Sequence, residues 1–317
     1  MNKKTIGNEP IYDARTLGAP RMLVLGFQHM FAMFGATVLV PTLTGLSVST
    51  TLLFAGLGTL LFHLLAKGKV PAFLGSSFAF LGGYAAIAPM LENPNSPGVF
   101  NVPNTELLPY ACFGVACAGL VYLVLSLLFK VFGVRKVMRF FPPIVTGPII
   151  IAIGLSLSSS AVNNCATSWP VALVAILVVI VCNIWGKGMI KIIPILLGVI
   201  ASYLVGAVSG QVDFTAVREA AWIGLPVTWS ETVFGLFGSG NVDTAMLATA
   251  AITIIPISLA TMVEHIGDMC AISSTCGRNY IQEPGLHRTL LGDGLATSLA
   301  ALFGAPANTT YGENTGV

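Results

Sequence analysis

The chain has 317 residues, 55% of them hydrophobic and 9% charged, with 15 basic and 13 acidic side chains and a formal net charge of +2. Soluble proteins carry about 25% charged residues, so this composition, with a mean hydropathy of +0.85, excludes a water-facing surface of ordinary size and indicates an all-α polytopic membrane protein. Charge this sparse and balanced also excludes a nucleic-acid partner, while the length accommodates about ten crossings at roughly 20 apolar residues each.

In chain order, residues 1–20 are polar, and no A-x-A-like cleavage site follows a short apolar run, so no segment is expected to be removed. Apolar windows predict crossings near 22–42, 47–66, 107–129, 141–162, 171–186, 189–209 and 244–265. Two weaker windows follow the same spacing: 70–91, interrupted by Gly75, Ser76, Ser77, Gly82 and Gly83, and 286–304, which carries Arg288 and Asp293. With the N-terminus inside and all nine windows crossing, the inner segments hold 14 of the 15 basic residues, and the outer loops hold only Arg218. Lys and Arg are retained on the cytoplasmic side. Omitting 70–91 would scatter the basic loops over both faces, so the interrupted window is expected to cross.

Non-helical backbone at membrane depth survives only when it is buried in protein or lines a polar cavity. Leu74 to Phe80 (LGSSFAF) is one such place, and Ala305 to Val317 (APANTTYGENTGV) is another. Each reads as a tight loop at the membrane surface or as a short extended segment opening a half-helix. Paired broken segments in two halves of a chain point to a transporter's substrate site.

Intramembrane carboxylates are functional candidates because their insertion costs on the order of 3 kcal/mol. Glu264 and Asp268 lie at i,i+4, on one helix face, with His265 turned roughly 100° away. A helix over 244–275 would be about 48 Å long at 1.5 Å per residue, so either it tilts and Glu264 is deep, or it projects and the pair is solvated. Glu313 and Asp293 are the other two carboxylates. Gln28 and His29 interrupt the first span as polar groups that need a partner in the bundle, and His29, like His63, also reads as a hydrogen-bonded packing residue. The six cysteines contain no C-x-x-C pair and read as small buried hydrophobes. Asn308-Thr309-Thr310 matches a glycosylation sequon but fits a broken segment better. Phosphate loops, zinc spacings and nucleophile elbows are absent from the sequence, so a transporter is expected rather than an enzyme, with no cofactor and no metal.

The run from Gln28 to Thr37, PAFLGSSFAF from Pro71 to Phe80, Glu264-His265-Ile266-Gly267-Asp268, Pro284-Gly285-Leu286-His287-Arg288 and Asn308-Thr309-Thr310-Tyr311-Gly312-Glu313-Asn314 together resemble the nucleobase/ascorbate transporter (uracil/xanthine permease) family. The last run resembles its uracil branch, whereas the purine branch usually has a glutamine where Glu313 stands. The resemblance implies fourteen segments in two inverted seven-segment repeats, a core and a gate domain, and short strands in segments 3 and 10 that meet at the substrate. Residues 1–243 would form the first repeat and 244–317 an incomplete second, with the chain stopping just inside the tenth segment as a fragment.

By the same resemblance, Glu264 and Glu313 would contact the nucleobase and Phe78 would pack on its ring. Backbone near Phe78 and Gly312 would bind its carbonyls, and Tyr311 would line the site. Asp268, His29, Asp293 and His265 would couple protons or surround the site, although Asp268 stands where some uracil permeases have a histidine. The implied activity is proton-coupled uracil import by alternating access in the cell membrane. A xanthine or other purine permease, or a non-transporting remnant, is the alternative, and a homodimer is left open.

Overall fold

In a chain this apolar, backbone hydrogen bonds must close within the protein, and helices close them locally. The computed structural model describes residues 14–94, 100–140, 165–186, 194–212, 224–238 and 242–311, with single positions or pairs between them. Helix α1 is Ala19–Thr44, and α2 is Val48–Leu65, capped by Ser47, whose Oγ accepts from the Thr50 N–H. The window at 70–91 is broken as expected, into β1 (Gly75–Ser76), a 3-10 turn at Phe78–Phe80 and the short α3 (Leu81–Ile87). A hairpin of β2 (Leu91–Glu92) and β3 (Phe100–Val102) leads to α4 (Leu108–Phe132) and the single turn α5 (Val134–Val137).

Next come α6 (Trp169–Trp185), α7 (Pro194–Val208), α8 (Val233–Gly238), α9 (Thr244–Ile254), α10 (Ile257–Cys276), α11 (Leu286–Leu302) and β4 (Asn308–Thr309). Val48–Leu65, Leu108–Phe132 and Thr244–Cys276 are long and apolar enough to cross a membrane. The crossing expected at 141–162 lies largely outside the described residues. The helix expected over 244–275 turns at Ile255–Pro256, where proline has no N–H to continue the ladder.

Chain contacts divide the protein into two units. In the unit comprising 1–35, 160–220 and 316–317, α6 packs on α7, with Gly198 against Ala175 and Val179. In the unit comprising 36–159 and 221–315, α4 packs on α11 and α9, and α11 packs in turn on α2, with two apolar clusters in the core. One cluster gathers Phe80, Tyr84, Leu108, Val115 and Ile254; the other gathers Phe62, Leu74, Tyr122, Met262 and Leu290. Helices α4 and α11 each run from one cluster to the other, with small residues between them. There the α4 and α11 backbones touch: a Cβ on Gly119 would lie 2.7 Å from the Gly294 carbonyl oxygen, and one on Gly294 would lie 2.4 Å from Tyr122 Cβ. Such close crossings are how apolar helices associate where lipid supplies no hydrophobic drive.

Candidate functional site

Between the two apolar clusters, β1 and β4 pair antiparallel, Gly75 opposite Thr309 and Ser76 opposite Asn308. The Ser77 N–H donates to the Ala307 carbonyl at 3.1 Å. Two residues per strand satisfy few backbone groups, and side chains from flanking helices supply the rest. Thr59 of α2 accepts from the Leu74 N–H at 3.0 Å, Thr297 of α11 donates to the Asn308 carbonyl at 3.0 Å, and Asn308 Nδ2 donates to the Phe54 carbonyl at 2.9 Å. The fit against α2 needs a glycine, because a Cβ on Gly58 would lie 2.1 Å from Asn308 Nδ2. Gly75 is held as tightly, between the Tyr311 ring and the Thr37 hydroxyl.

Asp293 of α11 and His265 of α10 are fully buried beside β4. Asp293 Oδ1 accepts from the Thr310 N–H at 3.0 Å, fixing the chain just past the strand. His265 Nδ1 lies 2.9 Å from Asp293 Oδ2, a contact with a hydrogen bond's length but not its directionality, and its better-directed partner is Thr310 Oγ1 at 3.0 Å. Nε2 lies 3.0 Å from Thr289 Oγ1, which also reaches the Leu286 carbonyl. With the Thr289 proton on that carbonyl, Nε2 is the donor to Thr289 Oγ1. With the hydroxyl turned to Nε2, the ring is neutral and keeps its proton on Nδ1. Removing either member would strand the other in the low-dielectric interior.

Glu264, half-buried, precedes His265, and Asp268, buried, follows one turn later. The Phe78–Phe80 turn, in which Phe78 is half-buried, packs against α10, the helix that bears these carboxylates. Glu264 thus lies on a helix that packs against the turn following β1. Tyr311 is buried, with its ring over Gly75. His29 lies half-buried in α1, within the other unit. Gly312 and Glu313 fall outside the described residues.

Sequence reasoning missed Thr59, Thr289, Thr297, Tyr122 and Gly58. Tyr122, fully buried on α4, lies within electrostatic reach of Asp293, Glu264 and Asp268. Its only signal was a polar tip in an apolar run. Among the described residues, no three His, Cys, Asp or Glu side chains converge as metal ligands would.

The sequence model of the Permease family, that of xanthine and uracil permeases, matches residues 20–317. The chain belongs to this family. It is thus a membrane-integral protein of a transporter family rather than of an enzyme family. It is 40% identical to a uracil permease of Bacillus caldolyticus, over 100% of the chain and 69% of that relative. It is 39% identical to a uracil permease of Bacillus subtilis (strain 168), over 92% of the chain and 65% of the relative. A putative pyrimidine permease of Escherichia coli (strain K12) is 37% identical over 93% of the chain and 63% of its own length. The chain of this permease family member spans about two thirds of the length of these curated relatives.

Proposed function

We propose that the chain belongs to a uracil importer of the cell membrane, and that uracil binds at the β1–β4 pair, beside the turn that packs on α10. The observation that carries this reading is the pairing of two interrupted apolar segments, between two apolar clusters, with the turn after β1 packed on the helix that bears Glu264. Uracil presents two ring N–H donors and two carbonyl acceptors. Glu264 and Glu313 accept from the ring N–H groups, and backbone N–H groups near Phe78 and Gly312 donate to the carbonyls. Phe78 covers the ring, and Tyr311 holds Gly75 in place.

Import proceeds by alternating access of a core against a gate, with a proton as the coupling ion carried among Glu264, Asp268 and the His265–Asp293 pair. Each strand follows a crossing-length apolar stretch in its own half of the chain, Val48–Leu65 before β1 and Thr244–Cys276 before β4, in keeping with inverted repeats, the first over 1–243 and an incomplete second over 244–317. The N-terminus is cytoplasmic by the distribution of Lys and Arg. The names of the relatives, two uracil permeases and a putative pyrimidine permease, support a pyrimidine over a purine.

The test is uptake of labelled uracil by the full-length permease in a permease-null strain, with unlabelled xanthine as competitor. Saturable uptake insensitive to xanthine is expected, and Glu264→Gln lowers affinity about 10- to 150-fold, the loss of one charge-assisted bond of roughly 1.5 to 3 kcal/mol. Displacement by xanthine at the concentration that displaces with uracil would make the site a purine site. Unchanged affinity in Glu264→Gln would move the site elsewhere.

A further inference from the structure

Away from the strand pair, the C-terminal half of α4 and the start of α10 enclose a groove of about 560 Å³. Val121, Val124, Leu128 and Phe132 of α4 form one wall and Leu259 and Met262 of α10 the other. Among the described residues lining it, Lys136 is the one charged side chain. From Val121 to Phe132 the groove follows about 16 Å of helix at 1.5 Å per residue. That is the depth of one leaflet, half of a hydrocarbon core about 30 Å thick. Val124 and Phe132 are 58% and 54% exposed, so the groove opens sideways out of the helix bundle.

Lys136 does not stand alone. Lys130, Arg135 and Arg139 are exposed around it, and the sequence contains no acidic residue between Glu106 and Asp213. This basic end is the one that the positive-inside rule assigns to the cytoplasm. An apolar channel one leaflet deep, ending in clustered cations with no nearby acid in sequence, is complementary to an acyl chain carrying a negative headgroup. Basic pockets between membrane helices on the cytoplasmic side hold anionic headgroups in this way.

We propose that this groove is a site for one anionic phospholipid of the inner leaflet, its acyl chain along α4 and α10 and its phosphate on Lys136. A neutral lipid would fill the groove without using the cations, and an apolar protein segment would leave them without a counter-charge. Met262 lies two residues before Glu264, so the lipid bears on the helix that carries the candidate substrate carboxylate.

The experiment takes the full-length permease, delipidated in detergent and titrated with phosphatidylglycerol or phosphatidylcholine. Bound lipid is counted by native mass spectrometry, and thermal unfolding is followed in parallel. One phosphatidylglycerol is expected to be retained in preference to phosphatidylcholine, and to raise the unfolding temperature. Lys136→Ala weakens retention about fivefold, the effect of one basic residue near an anionic headgroup, while Lys136→Arg retains it. Val124→Trp, which fills the exposed groove without altering charge, removes the same lipid, and Lys67→Ala, in another basic loop, leaves it bound. Equal retention of the two lipids, or undiminished phosphatidylglycerol in both Lys136→Ala and Val124→Trp, would overturn the proposal. So would a disulfide between a cysteine placed at Leu128 and one placed in another segment of the protein, which would show protein in the groove.

Discussion

Asp293 offers the sharpest test of how the strand pair is held. Its carboxylate accepts from the Thr310 N–H at 3.0 Å and lies 2.9 Å from His265 Nδ1, with both side chains fully buried. Asp293→Ala removes a charge-assisted hydrogen bond of about 1.5 to 3 kcal/mol and leaves a buried N–H without its acceptor for a further 1 to 3 kcal/mol. The sum agrees with the roughly 3 to 5 kcal/mol lost when one member of a buried pair is deleted. If the whole cost falls on the docked position of β4, the Kd for uracil rises about two to three and a half orders of magnitude. Any part not expressed there lowers the unfolding temperature. Asp293→Asn keeps one oxygen for the Thr310 N–H and turns its amide toward the imidazole, whose neutral tautomer accepts on Nδ1 and donates from Nε2 to Thr289. Binding is then expected to stay within about tenfold of wild type. Titration calorimetry of purified full-length protein, with thermal unfolding in parallel, measures both variants. An Asp293→Ala protein that binds within threefold of wild type and unfolds at the same temperature would refute the reasoning. An Asn variant as damaged as the Ala variant would refute the acceptor's part in it.

Gly58→Ala places a Cβ 2.1 Å from Asn308 Nδ2, and the overpacking is expected to cost about 1 to 3 kcal/mol, read as a lower unfolding temperature, whereas Gly56→Ala on the open side of α2 has little effect. Single-cysteine labelling of otherwise Cys-free protein is expected to reach Arg218→Cys from outside intact cells and not Lys136→Cys; the opposite pattern would invert the topology. Lys69 contacts Glu283 at the surface and holds its carboxyl below the usual range. The depressed value means that the contact persists at neutral pH and is lost as pH falls through it. Because both side chains are exposed, Glu283→Gln is expected to leave thermal stability at pH 7 unchanged within measurement.

The sequence by itself determined the class and the sites of interruption. Few charges, long apolar windows and one-sided basic loops specify a polytopic helical protein, because lipid leaves the backbone no other local way to satisfy itself. The helices at 48–65, 108–132 and 286–302 follow the windows closely. Gly75-Ser76-Ser77 and Pro306-Ala307-Asn308 announced the breaks, and charge at depth singled out Glu264, Asp268 and Asp293. What joins them belonged to the tertiary structure alone. A two-residue strand has no periodicity to read, and its partner is chosen by packing: Gly58 and Gly75 admit Asn308 and Tyr311 at distances no Cβ would allow. His265, turned away from the Glu264 and Asp268 face in the helical projection, proved to be the one that meets Asp293. A side chain's angle about its own helix is local, whereas the neighbour standing at that angle is fixed only when α10, α11 and β4 close around it.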